Sequence, residues 1–382
     1  MIGSYRKEIK MARKFGKKKE ISINPLDYNI GLAGLSGVGK TTLIKNVCEQ
    51  LVGDDGYLML DIGKESGHDC IDGIISESTP DWDTLDEVLD DIIDNRTTDY
   101  KDLKVVVFDT LDELFQLGEE ETIRRWNKKN PDKRTDTINS VNGGFGKGLD
   151  ACIDLVLNRI WSLKEVGLSF IVIVHTKAKD IEDPITGQTY QVITANMSQR
   201  YFNSIKTKLD ILGVAYIDRD IVKEKIEGRK DIKGKDITRN IVAGEARKIA
   251  FRSDDYNLDS KCRFPNIVSE IPLDPEEFIK AIQDAIKTEQ SKSGKSFEQS
   301  KEEQEAAEAK QMKEIAKAEK AKKAKKEVDL VVSKITDYIK ANKSSMAKIK
   351  PLLEKSKELG YKNPTEIDKL EDAEAVLALT EE

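Results

Sequence analysis

The octet Gly34-Leu35-Ser36-Gly37-Val38-Gly39-Lys40-Thr41 constrains this chain more than any other stretch. It completes the pattern Gly-x-x-x-x-Gly-Lys-Ser/Thr, follows a short apolar run (Tyr28 to Ala33), and precedes "LIKNVCEQL", whose apolar spacing is helical. Each glycine costs backbone entropy, so three within the nine residues from Gly34 to Thr42 call for a return. Glycines let successive backbone N–H groups wrap an anion without Cβ clashes, and the helix that follows aims its positive end at the same point. The nine residues Gly34, Leu35, Ser36, Gly37, Val38, Gly39, Lys40, Thr41 and Thr42 are therefore the expected nucleotide-binding segment. Lys40 reaches the β- and γ-phosphates, and the Thr41 hydroxyl ligates Mg²⁺. ATP and Mg²⁺ are the expected cofactors.

The rest of the chain suits such a turn. Short β-branched runs, "YNIGLA", "YLMLDI" (Tyr57 to Ile62), "KVVVFD" (Lys104 to Asp109), "LSFIVIVH" (Leu168 to His175) and "DILGVAYID" (Asp210 to Asp218), are apolar throughout, with no two-residue alternation. Strands of a parallel sheet covered on both faces have this character. Between them, "WDTLDEVLDDIID" (Trp82 to Asp94) and "LDACIDLVLNRIWSLKEVG" (Leu149 to Gly167) are long enough to be crossover helices. The fold class expected is α/β, with a mainly parallel sheet.

At 382 residues and 38% hydrophobic content the chain can build one sizeable core and an accessory piece. Residues 1–27 form a basic extension, and the α/β domain is expected over 28–275. A helix and charged linker follow over 276–327, where "SKSGKSFEQSKEEQEAAEAKQMKEIAKAEKAKKAKKE" has almost no large apolar residue to bury; a solvated helix or a flexible linker is expected. Apolar spacing resumes over 328–382, the signature of a small helical domain. The net charge of -7 leaves any affinity for nucleic acid to local basic patches. Four scattered cysteines and only two histidines argue against zinc and for a reducing compartment. With neither a secretion-signal core nor an apolar run of about 18 residues, a cytoplasmic location away from membranes is expected.

A nucleotide-bound metal needs an acid at the end of a neighbouring strand, and Asp109 closes "KVVVFD" where such an acid belongs. Hydrolysis further needs a group to orient water. Glu65, in "LMLDIGKESGHD", and Asp112 or Glu113 are the candidates. His175 ends an apolar strand where a polar γ-phosphate sensor would stand, although a lone histidine there also fits a structural role.

With "VVVFDTLDEL", "IVIVHTKAKD" and "RKIAFRSDDYNLDSKCRFPNI" added to the octet, the chain resembles the phage AAA-type nucleotide-binding proteins, RecA-core ATPases related to the Sak group of single-strand annealing recombinases. The resemblance covers roughly residues 28–272 and leaves the tail outside. It implies a RecA-like P-loop NTPase core that hydrolyses ATP with Lys40, Glu65, Asp109 and His175 as catalytic residues. It also implies a role in phage DNA recombination or replication, with single-stranded DNA as partner. The catalytic glutamate of such a core follows the second strand, and Glu65 fits that place with a small shift. Two polar stretches, Arg124 to Gly148 and Thr176 to Arg200, suit DNA-contacting loops, with Trp126, Phe145 or Tyr190 to stack bases. A solvated loop and a plain β-hairpin suit them as well. Arg247, Lys248, Arg252 and Lys261 are candidates for groups acting on a neighbouring subunit's γ-phosphate in a homo-oligomer, and the C-terminal helices for recruiting a replication or recombination protein. A helicase loader would use every one of these residues, and a P-loop small-molecule kinase would share the octet.

Overall fold

The computed structural model describes residues 21–64, 67–183, 185–230, 236–252, 258–292 and 296–380. In chain order the elements are β1 (Ile30–Gly34), α1 (Lys40–Val52), β2 (Tyr57–Ile62), β3 (Ser76–Thr79), α2 (Trp82–Asp94), β4 (Val105–Asp109), α3 (Leu111–Lys129) and α4 (Lys147–Glu165). They continue with β5 (Ser169–Glu182), β6 (Thr189–Ala195), α5 (Gln199–Lys206), β7 (Ile211–Lys230), β8 (Asp236–Ala250), β9 (Lys261–Cys262) and β10 (Glu270–Pro272). Four helices close the chain: α6 (Pro275–Ser291), α7 (Phe297–Ala341), α8 (Met346–Glu358) and α9 (Leu370–Leu377). The molecule divides into two compact units, and the expected 28–275 domain contributes to both.

The first unit holds the chain up to Val47, Thr176–Ala195 and Lys206–Gln304. Here β1 runs parallel to β7, with Gly34 beside Ala215. β8 returns antiparallel to β7, and β10 adds antiparallel to β8. The ladder of β7 with β8 carries a register shift between Asp220 and Ile221 and runs far beyond the expected Asp218. Past that point charged residues occupy both faces, so no apolar pattern announced it. α6 packs into this unit through Phe278, Ala281, Ile282, Ala285 and Ile286, with the Phe278 ring 5.7 Å from that of Phe251. The packed chain thus continues past residue 275.

The second unit holds Cys48–His175, Asn196–Ile205 and everything from Glu305 on. β2 lies between β3 and β4, and β4 pairs with the first half of β5, all parallel. Val105 to Phe108 are fully buried, as the continuous apolar run requires. α2 begins where Asp81 accepts the Thr84 N–H at 2.8 Å, and buries Trp82, Leu85, Leu89 and Ile92 at helical spacing.

The charged stretch expected as a solvated helix or linker is part of α7, a 45-residue helix that continues unbroken across residue 327. It is not wholly solvated. Glu319 accepts the Thr97 N–H (2.9 Å) and hydroxyl (2.7 Å), Lys322 and Lys326 pair with Asp94, and Lys323 reaches Asn95 at 3.1 Å. The far end of α7 joins α8 and α9 around Ile335, Leu352, Ile367, Ala373 and Val376. Single lysines and glutamates at the right spacing dock this helix, which is why apolar periodicity alone left it in solvent.

Candidate functional site

In the first unit β1 ends at Gly34, the first glycine of the octet. A Cβ there would lie 2.8 Å from the Ala215 carbonyl oxygen and 3.1 Å from Val38 Cγ1, so the strand approaches β7 more closely than any side chain allows. The next three residues, Leu35, Ser36 and Gly37, are exposed and form an arch. The buried Val38 side chain anchors it, and the Val38 N–H bonds to the Leu35 carbonyl at 3.3 Å. Gly37 (φ +76°) and Gly39 (φ +105°) adopt the left-handed backbone that glycine alone enters without strain. α1 starts at Lys40, within the loop, and Leu43 donates to the Gly39 carbonyl at 3.0 Å. Lys40 is only 5% exposed, and its ammonium folds back to donate to the Leu35 carbonyl at 3.0 Å. Thr41 is half-buried and Thr42 exposed at the helix start.

This geometry suits phosphate. A glycine arch, a helix N-terminus and a lysine converge within one turn, and a Cβ at Gly37 would meet nothing within 4 Å. Arg247, on β8, adds a feature that no sequence pattern signalled: its Nη1 donates to the Val38 carbonyl at 3.3 Å. The other three cations expected to act across a subunit boundary have partners in their own chain. Lys248 pairs with Asp218 at 2.7 Å, Arg252 donates to the Pro265 carbonyl at 2.7 Å, and Lys261 donates to the Lys206, Thr207 and Leu209 carbonyls. Burial first, and then the nearby Arg263 charge, hold the Lys261 ammonium below its ordinary pKa against the opposing Asp210 charge, with Lys206 adding a smaller lowering.

In the second unit the segment Asp109-Thr110-Leu111-Asp112-Glu113 turns from β4 into α3 and sends its three acids in different directions. Asp109 ends β4, buried, with Oδ2 3.2 Å from His68 Nε2, itself buried. As an acceptor-only carboxylate, Asp109 takes the hydrogen bond from the Nε2–H tautomer. Asp112, in the first turn of α3, receives the His175 backbone N–H at 3.1 Å and the ring Nδ1–H at 3.0 Å. Burial pushes its carboxyl pKa up, but the two hydrogen bonds and the charge interaction with His175 prevail and hold it below its ordinary value. Glu113 lies over Gly63, just past β2, where a Cβ would come within 2.6 Å of Glu113 Oε2; Gly63 is at φ +69°. Thus Asp112 is committed to His175, while the Glu113 carboxylate stands at the end of β2. Glu65, expected to fill that place, lies outside the described residues.

Asp61 was missed in the sequence. It is buried on β2 directly beside Asp109 in the parallel register, and "LMLDI" carries the same signal as "VVVFD", an apolar strand closing on an acid. His68 carried no signal at all. His175 does not end its strand, because β5 continues through Thr176 to Glu182 and pairs with β6. The stretch from Thr176 to Arg200 is therefore a β-hairpin with the first turn of α5, the plainer of its two expected forms. The stretch from Arg124 to Gly148 begins as helix: Arg124 pairs with Glu121 and Asp83, Arg125 with Glu121 and Asp86. Phe145 is completely exposed on the glycine turn that follows, and Tyr190 is partly exposed on β6.

Among the described residues no group of three or more His, Cys, Asp or Glu side chains is arranged to hold a metal. Nor, among the described residues, is any helix long and apolar enough to cross a membrane.

A glycine-arched strand-to-helix turn, with parallel strands that close on acids, defines a P-loop NTPase core, here followed by C-terminal helices. A family model described as an AAA domain matches residues 26–246, more than half of the chain, and the protein belongs to that family. The family is one of P-loop, nucleotide-binding ATPases. A search of curated proteins gives no match.

Proposed function

We propose that the protein binds ATP on Gly34 to Thr42 and hydrolyses it with Mg²⁺, coupling the cycle to single-stranded DNA in phage-type DNA recombination or replication. The observation that carries the nucleotide part is the octet's geometry: two left-handed glycines, a helix starting at Lys40 and a buried lysine folded onto the arch. In this reading the Thr41 hydroxyl and the Asp109 carboxylate hold Mg²⁺, which neutralises charge on the transferring phosphoryl group. His68 keeps Asp109 oriented, and Asp61 is a second acid on the metal side. His175, fixed by Asp112, senses the γ-phosphate. Glu113 orients the attacking water, unless Glu65 does so.

The DNA part rests on the surface around Phe145. Its ring is fully exposed on a glycine turn, two residues before Lys147 in sequence, and bases stack on such rings without sequence preference. The pairing of Arg124 and Arg125 with acids favours Lys128, Lys129, Lys133, Arg134 and Lys147 as the phosphate contacts. Kinship with the Sak-type annealing recombinases belongs to the same proposal, as do a homo-oligomer and a protein partner for the C-terminal helices.

The test measures ATP turnover with and without Mg²⁺ and single-stranded oligonucleotide, with DNA binding followed as salt is raised. Mg²⁺-dependent turnover, stimulated by DNA whose binding weakens steeply with salt, supports the proposal. Turnover that ignores DNA at low salt shifts the biological task to loading or remodelling another protein.

A further inference from the structure

Arg247 lies one residue beyond the matched AAA domain, on β8. Its backbone is fixed on both sides: it is paired with Ile217 in the ladder of β7 with β8, and its carbonyl accepts the Leu273 N–H at 2.9 Å. From that rigid position the guanidinium reaches the octet and donates to the Val38 carbonyl at 3.3 Å. Leu273 presses on the same place, with Cδ2 3.2 Å from where a Cβ of Gly39 would stand.

The peptide bond between Val38 and Gly39 is trans, since the one cis bond among the described residues joins Asp109 and Thr110. In a planar trans peptide the C=O and N–H point in opposite directions. A Val38 carbonyl held by Arg247 therefore turns the Gly39 N–H the other way, away from β8. In this loop that choice matters, because the glycine at Gly39 leaves its peptide plane unusually free to turn over. A flipped plane would present a carbonyl oxygen where an anion is to bind and would withdraw one N–H donor. The neighbouring groups are already engaged: the Val38 N–H bonds to Leu35 and the Gly39 carbonyl to Leu43.

On the nucleotide reading above, we infer that Arg247 is a positioning residue that acts in its own chain, locking the Val38–Gly39 peptide with its N–H toward the phosphates. It touches no phosphate itself. The lock also ties the hairpin of β7 and β8 to the nucleotide-binding turn.

The experiment uses the full chain with a fluorescent ATP analogue and steady-state turnover, comparing wild type, Arg247→Ala and Arg247→Lys. Loss of one charge-assisted donor to the loop weakens triphosphate and diphosphate binding alike by about tenfold in Arg247→Ala. KM rises by a similar factor while kcat stays within about twofold, because the lock serves ground state and transition state equally. Arg247→Lys, which keeps a cationic donor, recovers most of the affinity, and it carries the test if the alanine variant folds poorly. Mixing Arg247→Ala with Lys40→Ala subunits should yield no more turnover than the two measured separately. Equal affinity of wild type and Arg247→Ala overturns the inference, as does a fall in kcat at constant KM. Restored turnover in the mixture also overturns it, because it would mean that Arg247 serves a neighbouring subunit. A wild type that binds no nucleotide overturns the nucleotide reading itself, and the inference with it.

Discussion

Replacing Asp112 with asparagine separates two histidine tautomers. In the native protein one carboxylate oxygen takes the His175 backbone N–H (3.1 Å) and the other the ring Nδ1–H (3.0 Å). A hydrogen bond to a charged acceptor contributes about 1.5–3 kcal/mol when buried, and with the two side chains 15% and 18% exposed the lower half of that range applies. Asp112→Ala, which removes both bonds, should therefore cost about 3–4.5 kcal/mol. Asp112→Asn keeps an oxygen for the backbone N–H but turns an N–H₂ donor toward the ring, so it should cost about 1–2 kcal/mol and drive the proton from Nδ1 to Nε2. Urea denaturation gives the first quantity. Because the chain has only two histidines, ¹⁵N-histidine NMR gives the second without crowding. The acid limb adds a sign. The folded-state pKa of Asp112 is depressed below its ordinary 3.8, so its stabilisation is complete above that value and is lost as pH falls through the folded pKa. The gap between wild type and Asp112→Asn should accordingly narrow below about pH 4. A His175 ring still protonated at Nδ1 in the variant, with a stability change under about 0.5 kcal/mol, would refute the reasoning.

Three further substitutions probe other parts of the account. Gly34→Ala forces a Cβ to within 2.8 Å of the Ala215 carbonyl, so thermal melts should show a loss of about 1–3 kcal/mol, and an unchanged melt would mean that β1 and β7 are not so tightly spaced. Glu319→Ala removes the acceptor of the Thr97 N–H and hydroxyl and should destabilise the second unit by about 1–3 kcal/mol in urea; a silent substitution would mean that α7 does not depend on that contact. Glu113→Gln should bind ATP with near-native affinity yet slow single-turnover hydrolysis by about 10²-fold or more, and an unimpaired variant returns the role to Glu65.

Much of the core was legible because buried parallel strands and amphipathic helices each carry a periodic signature. β2 and α2 occupy the residues expected of them, Tyr57–Ile62 and Trp82–Asp94. The octet was legible for a different reason, since its glycines answer a backbone demand that few other turns make. What stayed hidden depends on tertiary structure. The outer half of β5 and residues 218–224 of β7 bury little, so a pattern of burial could not reveal them. His68 meets Asp109 across 41 residues of sequence, and Arg247 meets Val38 across 209, separations over which no local spacing is informative. The acids after β4 were visible as a cluster, but their division among His68, His175 and Gly63 follows from strand order, which sequence alone did not supply.

The central claim is that the octet is a working nucleotide site, and Mg²⁺-dependent ATP turnover by wild type and by Lys40→Ala tests it most directly. The Lys40 ammonium donates to the Leu35 carbonyl of its own loop, so its removal should leave the fold intact. Wild type should hydrolyse ATP only when Mg²⁺ is present, and Lys40→Ala, equally folded by circular dichroism, should lose that turnover by about 10²-fold or more. A folded Lys40→Ala protein that hydrolyses ATP at the wild-type rate would contradict the account.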